Sequence, residues 1–196
     1  FKWVPPPLNY YQAEEWFRLG GLKRDWVRIE DMSPHLPRAA VAAEDANFCQ
    51  HWGVDVEAVR DALAGGARRG GSTISQQTAK NVFLWQERSW VRKGLELGFT
   101  GLIEGVWGKE RILEIYLNVA EFDEGVFGVG AAMPHYFGRR AEDATLAQSA
   151  ALMAVLPNPK ARSAIRPTQT LRKRARQIAS GAGTVAADGR ARCFEH

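Results

Sequence analysis

Apolar residues recur along this chain at intervals of three and four, the spacing that lines one face of a helix, and stretches of strict alternation are scarce. Residues 1–32 mix aromatics with Pro5-Pro6-Pro7 and read as an irregular or short-helical approach segment. Ser33-Pro34 then signals a helix start, because Ser can cap and Pro suits the first turn. That helix runs through the Ala-rich stretch Ala39 to Ala43 and is expected to end near Asn47. A second begins at Asp55, with Val56, Val59 and Leu63 on one face, and stops at Gly65-Gly66. The polar stretch Arg68-Arg69-Gly70-Gly71 follows. Thr73 with Gln76 three residues on has the form of a capping box and predicts a helix from Ile74 to about Trp85.

The next predicted helix, from about Arg88 to Trp107, carries Gly94, Gly98, Gly101 and Gly105 on one stripe. Each glycine costs ~1 kcal/mol relative to Ala in a helix interior, so the stripe implies close approach by another helix. The alternative is a helix broken in two. Lys109 to Ala120 is amphipathic through Ile112, Tyr116 and Val119. Gly125 to Phe137 reads as a further helix with Gly138 as its C-terminal cap. Thr145 and Gln148 form a second capping box, leading into an Ala- and Leu-rich helix that Pro157 terminates. Thr170 to Ser180 carries Leu171, Ala175 and Ile178 on one side, and residues 181–196 read as a flexible tail. No strand and no repeat stands out. The expected class is mainly α, with residues 33–180 as one domain.

A chain of 196 residues fits one domain, or a core domain with a small appended lobe. The net charge of +4 suits an anionic partner: nucleic acid, an anionic leaflet or a phosphorylated substrate. Lys160 to Ser180 holds several cations and no acid, and Lys160 and Arg172 read as membrane-facing charges. No stretch approaches the ~20 apolar residues needed to cross a bilayer. The opening Phe1-Lys2, with no Met, reads as the start of a fragment or trimmed chain. Cys49 and Cys193 are expected to be isolated thiols, since pairing would require the fold to bring the chain ends together.

Three clusters carry candidate chemistry. Glu44-Asp45 ends the Ala-rich helix, where a weakly polar setting would raise the Glu44 pKa toward that of a useful proton acceptor. The plain alternative is a solvated acidic helix end. Gly70-Gly71-Ser72-Thr73 can bring backbone N–H groups to an anion at the positive end of the following helix, on which Gln76, Gln77 and Lys80 share a neighbourhood. The alternative there is a polar solvent face. Arg88, Arg92 and Glu96 stand at four-residue steps, with Lys93 beside Glu96. This pattern fits either a salt-bridge ladder or a helix that presents Glu96 away from its glycines.

These clusters resemble a known family in order. Glu44-Asp45-Ala46-Asn47-Phe48-Cys49-Gln50-His51-Trp52-Gly53 resembles the first motif of the family 51 peptidoglycan glycosyltransferases. Residues Gly70 to Asn81 are similar to the second motif, Arg92-Lys93-Gly94-Leu95-Glu96 to the third, and Lys109 through Ile112 to Asn118 to the fourth. The Gly125–Gly138 block and Leu156-Pro157-Asn158-Pro159 also fit. The likeness spans about residues 25–167, with no transpeptidase domain after it, as in the monofunctional biosynthetic members. Asp123 departs from the pattern, standing where many relatives have Gly.

The resemblance implies a lysozyme-like, two-lobed helical fold with a membrane-proximal lobe. It implies polymerisation of lipid-linked disaccharide-peptide units with release of polyprenyl pyrophosphate, in cell-wall synthesis and cell-shape maintenance. Glu44 would be the base and Glu96 a second catalytic carboxylate. Lys80 and Arg88 would meet the pyrophosphate, and Ser72, Gln76, Gln77, Asp45, Phe48 and Arg92 would bind substrate. No cofactor is required; a magnesium or manganese ion at the pyrophosphate is the one the resemblance admits, with Glu96 as candidate ligand. The implied partners are the lipid-linked substrate, the bacterial membrane and other cell-wall synthesis proteins, not nucleic acid. The implied location is the inner membrane, single-pass, with the catalytic domain on the periplasmic side and an upstream membrane anchor removed from this sequence. A lysozyme-like enzyme that cleaves peptidoglycan is the rival reading, and a basic module binding membrane or nucleic acid is a second.

Overall fold

Three helices start where Asn or Thr stands three residues before Gln, and at each of them the side chains close a reciprocal capping box: Asn9 with Gln12, Thr73 with Gln76, Thr145 with Gln148. The structure, a computed structural model, describes residues 1–56, 60, 71–87 and 89–195. Among these are eight α-helices: α1 (Tyr10–Leu19), α2 (His35–Glu44), α3 (Ile74–Phe83), α4 (Trp90–Val106), α5 (Lys109–Val119), α6 (Val129–Phe137), α7 (Leu146–Val155) and α8 (Gln169–Ala187). The fold is mainly helical. The predicted helix from Asp55 to Gly65-Gly66, and the Arg68-Arg69-Gly70 stretch after it, fall largely outside the described residues.

Three short strands, β1 (Lys23–Arg24), β2 (Glu121–Asp123) and β3 (Val126–Phe127), form a sheet of order β1-β3-β2. β1 runs parallel and β2 antiparallel to β3. This corrects the expected helix from Gly125, which begins only at Val129. Gly125 and Gly128 hold φ of 69° and 81°, which no helix accommodates. A Cβ on Gly128 would lie 2.7 Å from the Asn118 carbonyl, so the hairpin is pressed onto α5. The strands are too short for alternation to announce them.

Helices α2, α7 and α8 pack on one another, and α3 packs on α4 and α5. The small residues of α2 let α8 come close: a Cβ on Gly181 would meet the Ala42 Cβ at 3.2 Å. Every residue of α5 from Ile112 to Val119 is buried. The predicted glycine stripe behaves otherwise. α4 is unbroken, but added Cβ atoms at Gly94, Gly98, Gly101 and Gly105 would meet nothing within 4 Å. The stripe is exposed beside Val91, Leu95, Leu102 and Val106, and among the described residues no helix packs against it.

The chain's end is also ordered differently from the expectation. α8 continues to Ala187, and Val185, Ala191 and Phe194 are buried. Arg38 on α2 makes two hydrogen bonds to Glu195, at 2.7 and 2.8 Å. Cys49 and Cys193, expected as free thiols, form a disulfide across 144 positions. The return of α8 along α2 supplies the proximity that spacing alone does not reveal.

Candidate active site

Helix α2 gives out at Glu44 because Asp45 turns to an extended conformation, φ −160°. The two neighbouring carboxylates therefore diverge. Asp45 is buried. One of its oxygens is 2.8 Å from His51 Nε2, and the other accepts the Ile74 N–H at 3.0 Å. It thereby fixes the first turn of α3 against the end of α2, as does Thr73 Oγ1, which donates to the Gly53 carbonyl at 2.5 Å.

Glu44 points between helices. Gln77 Nε2 on α3 donates to Oε2 at 3.2 Å, and Arg174 Nη2 on α8 donates to Oε1 at 3.3 Å. Its side chain is only 15% exposed. Burial raises its pKa, while the Gln77 hydrogen bond and the Arg174 and Arg162 charges hold it down, and the balance lies above the ordinary value. A carboxylate with a raised pKa is a stronger proton acceptor when ionised.

Gln77 and Lys80 line one cavity of about 310 Å³ together with Asn81 and Tyr116. Tyr116 Oη donates to Gln77 Oε1 at 3.5 Å, so Gln77 is held from both sides. Glu44 does not line this cavity itself; Gln77 links them.

The other sequence-singled residues divide. Gln76 is buried, its Oε1 accepting the Thr73 N–H at 3.1 Å, so it serves the cap and does not face a cavity. The N–H groups of Thr73, Ile74 and Gln76 are taken within the protein, and Gly70 of the expected amide cradle lies outside the described residues. Phe48 is fully buried against Phe194 and His51, with the Lys109 ammonium 4.5 Å from its ring centroid. It is a core residue, not a cleft wall.

Glu96 is buried between two cations, Arg92 at 2.7 Å and Lys93 at 2.5 Å. Lys93 Nζ also lies 3.5 Å from Ser72 Oγ. With both oxygens engaged by cations, Glu96 does not fit a metal ligand; it fits an anchor that aims Lys93 toward the α3 start. The described residues hold one close group of metal-capable side chains, Asp45, His51 and Asp55. Both oxygens of Asp45 there already accept protein hydrogen bonds. Arg88 and Gly70 lie outside the described residues. Lys160, expected to face a membrane, is exposed and pairs with Glu15 at 3.0 Å and Glu121 at 3.8 Å. Arg172 is exposed as well.

Arg174 escaped the sequence reading. Its signal was an arginine three residues after Leu171 and four before Ile178, both buried on the inner face of α8. A charge on an apolar face needs a partner.

The transglycosylase family model matches residues 13–182 of the chain. The chain is 57% identical over 191 residues to a biosynthetic peptidoglycan transglycosylase of Jannaschia sp. (strain CCS1), covering 97% of this chain and 80% of that one. A protein of the same name from Rhodospirillum centenum is 50% identical over 202 residues, covering 99% and 86%. One from Salmonella newport is 50% identical over 186 residues, covering 89% and 77%.

Proposed function

This chain belongs to the transglycosylase family, and we propose that it is a peptidoglycan glycosyltransferase in which Glu44 is the proton acceptor. It joins lipid-linked disaccharide-peptide units into glycan strands. The 4-hydroxyl of one unit loses its proton to Glu44 as its oxygen bonds to the anomeric carbon of the other. The bond from that carbon to the pyrophosphate breaks, and polyprenyl pyrophosphate departs. The observation that carries this reading is a part-buried carboxylate at the end of α2, raised in pKa and linked through Gln77 to a cavity that contains Lys80.

Charge builds on the pyrophosphate as it leaves, and cations fixed beforehand stabilise it without reorganisation. Lys80 has that role, and by family likeness Arg88 shares it. Lys93, aimed by Glu96, adds a further cation next to Ser72. Asp45 positions rather than reacts, since both of its oxygens serve the fold. No step uses a metal ion.

The substrate's polyprenyl tail stays in a bilayer, so the cavity works at a membrane surface, on the extracytoplasmic side by family likeness. No helix among the described residues is long and apolar enough to cross a membrane. The exposed apolar side of α4, with Trp90, Val91, Leu102 and Val106, supports interfacial docking of this domain. A lysozyme-like arrangement of two lobes is supported by the grouping of α2, α7 and α8 apart from α3, α4 and α5, with Glu44 at the junction. The test is incubation with lipid-linked disaccharide-peptide in detergent, followed by gel separation. A ladder of glycan polymers supports the reading. Fragments released from isolated cell walls, with no polymer made, overturn it.

A further inference from the structure

The two oxygens of Glu44 are held by residues that line different cavities. Gln77 on Oε2 opens onto the Lys80 cavity; Arg174 on Oε1 opens onto a second one, of about 190 Å³. Three arginines line the second, Arg162, Arg166 and Arg174, with Ser163, Thr168 and Thr170 among them. Lys160 to Ala187 carries seven cations and no carboxylate. Glu44, on Arg174, is the one carboxylate ion-paired with any of the three arginines among the described residues. Arg162 gives an Nη to the Ala154 carbonyl at 3.3 Å, and the buried Arg174 Nε has no hydrogen-bond partner there. The first turn of the 19-residue helix α8, capped by Thr168, lines the same space with its positive end. Guanidinium forks gathered in a concavity with hydroxyls and a helix start are matched to an oxyanion.

We propose that this cavity is a second oxyanion subsite, which holds a phosphate or carboxylate of the glycosyl acceptor while the Lys80 cavity serves the departing pyrophosphate. The inference rests on the glycosyl-transfer reading for the identity of the acceptor. It gives Glu44 a place between the two reacting units, with one oxygen toward each. It also couples binding to reactivity. An anion in the cavity draws Arg174 from Glu44, so the carboxylate becomes more basic when the hydroxyl it must deprotonate arrives.

The test follows the Arg174 Nε–H signal in nitrogen-resolved NMR of the intact protein, assigned by its loss in Arg174→Lys. Inorganic pyrophosphate and acetate are titrated separately at constant ionic strength. A saturable shift with at least one anion is expected, weakened about tenfold in Arg166→Gln, the size of one charge-assisted hydrogen bond. It should persist in Arg172→Gln, which removes an exposed cation from the same helix start. No saturable shift with either anion, or equal weakening in both variants, overturns the subsite.

Initial rates identify the source of the group. Arg166→Gln should raise KM for the lipid-linked substrate about tenfold, with little change in kcat. If that defect persists with a peptide-free substrate the group is the acceptor's phosphate; if it disappears the group is a peptide carboxylate. An Arg174 response in a protein that makes no polymer sinks the reaction and leaves the subsite standing. Polymer without an Arg174 response does the reverse.

Discussion

Arg174 Nη2 donates to Glu44 Oε1 at 3.3 Å across 130 positions of chain. The base thus ends one helix, and a cation that tunes it comes from the last helix, outside the motifs read from the sequence but within the span the family model matches. Burial and charge oppose each other at this carboxylate, and burial prevails. A fully solvated glutamate would be ionised but weakly basic. A buried one with no cation nearby would stay protonated.

Arg174 therefore sets where the enzyme switches on with pH. The base must be ionised, so activity falls as pH drops through the pKa of Glu44, which lies above the ordinary glutamate value. Arg174→Gln removes a charge that lowers this pKa, so the acidic limb of kcat/KM should move to higher pH. A limb that stays in place would show that Arg174 has no hold on the base.

Asp45 should matter to the fold before it matters to chemistry. Asp45→Ala strands the buried Ile74 N–H and His51 Nε2, at a cost of about 1–3 kcal/mol for an unsatisfied buried group. Thermal unfolding should register the loss as a lower midpoint. An unchanged midpoint with activity abolished would make Asp45 a reacting group instead.

The Cys49–Cys193 bridge closes a loop of 144 positions. Long loops bring large chain-entropy gains, and removing such a bridge costs roughly 2–5 kcal/mol. Cys49→Ser with Cys193→Ser should lower the melting temperature clearly. Equal stability of the oxidised protein and the double variant would show that the contacts of Phe194 and Glu195 suffice without it.

Lys80 and Arg172 separate a local cation from general electrostatics. Lys80→Ala should reduce kcat about a hundredfold or more, the scale of losing one preorganised charge at the developing anion. Arg172→Ala, an exposed change, should leave kcat within a factor of about two. Equal losses in steady-state rates would mean that bulk charge, not a site, drives the reaction.

Much of this was legible in the sequence, and the misses have physical causes. Thr73-Gln76 and Thr145-Gln148 announced their helices because a capping box is local, needing only three residues of separation. Glu44, Gln77 and Lys80 were legible as motif members, and Glu96 as a helix neighbour of Arg92 and Lys93. Gln76 and Phe48 stand in a cap and in the core, which a motif does not reveal, because it fixes residue type without saying what the side chain packs on. The glycine stripe of α4 misled because low helix propensity was read as tight packing, whereas the stripe lies open beside apolar side chains. The disulfide, the Glu44–Arg174 pair and Lys160 with Glu15 and Glu121 were not legible. Each joins positions far apart in the chain, and only the return of the chain brings them together.

Glu44→Gln with labelled lipid-linked disaccharide-peptide tests the central claim most directly. The variant keeps the shape of the side chain and its contacts with Gln77. Because burial raises the pKa of Glu44, this group favours the fold below the pKa of the unfolded carboxyl, and that contribution is lost as pH rises through the folded value. At neutral pH the variant should therefore melt no lower than the parent protein. Its glycan products on a gel should be absent while the parent gives a full ladder; a ladder of near-normal intensity from the variant would contradict the account.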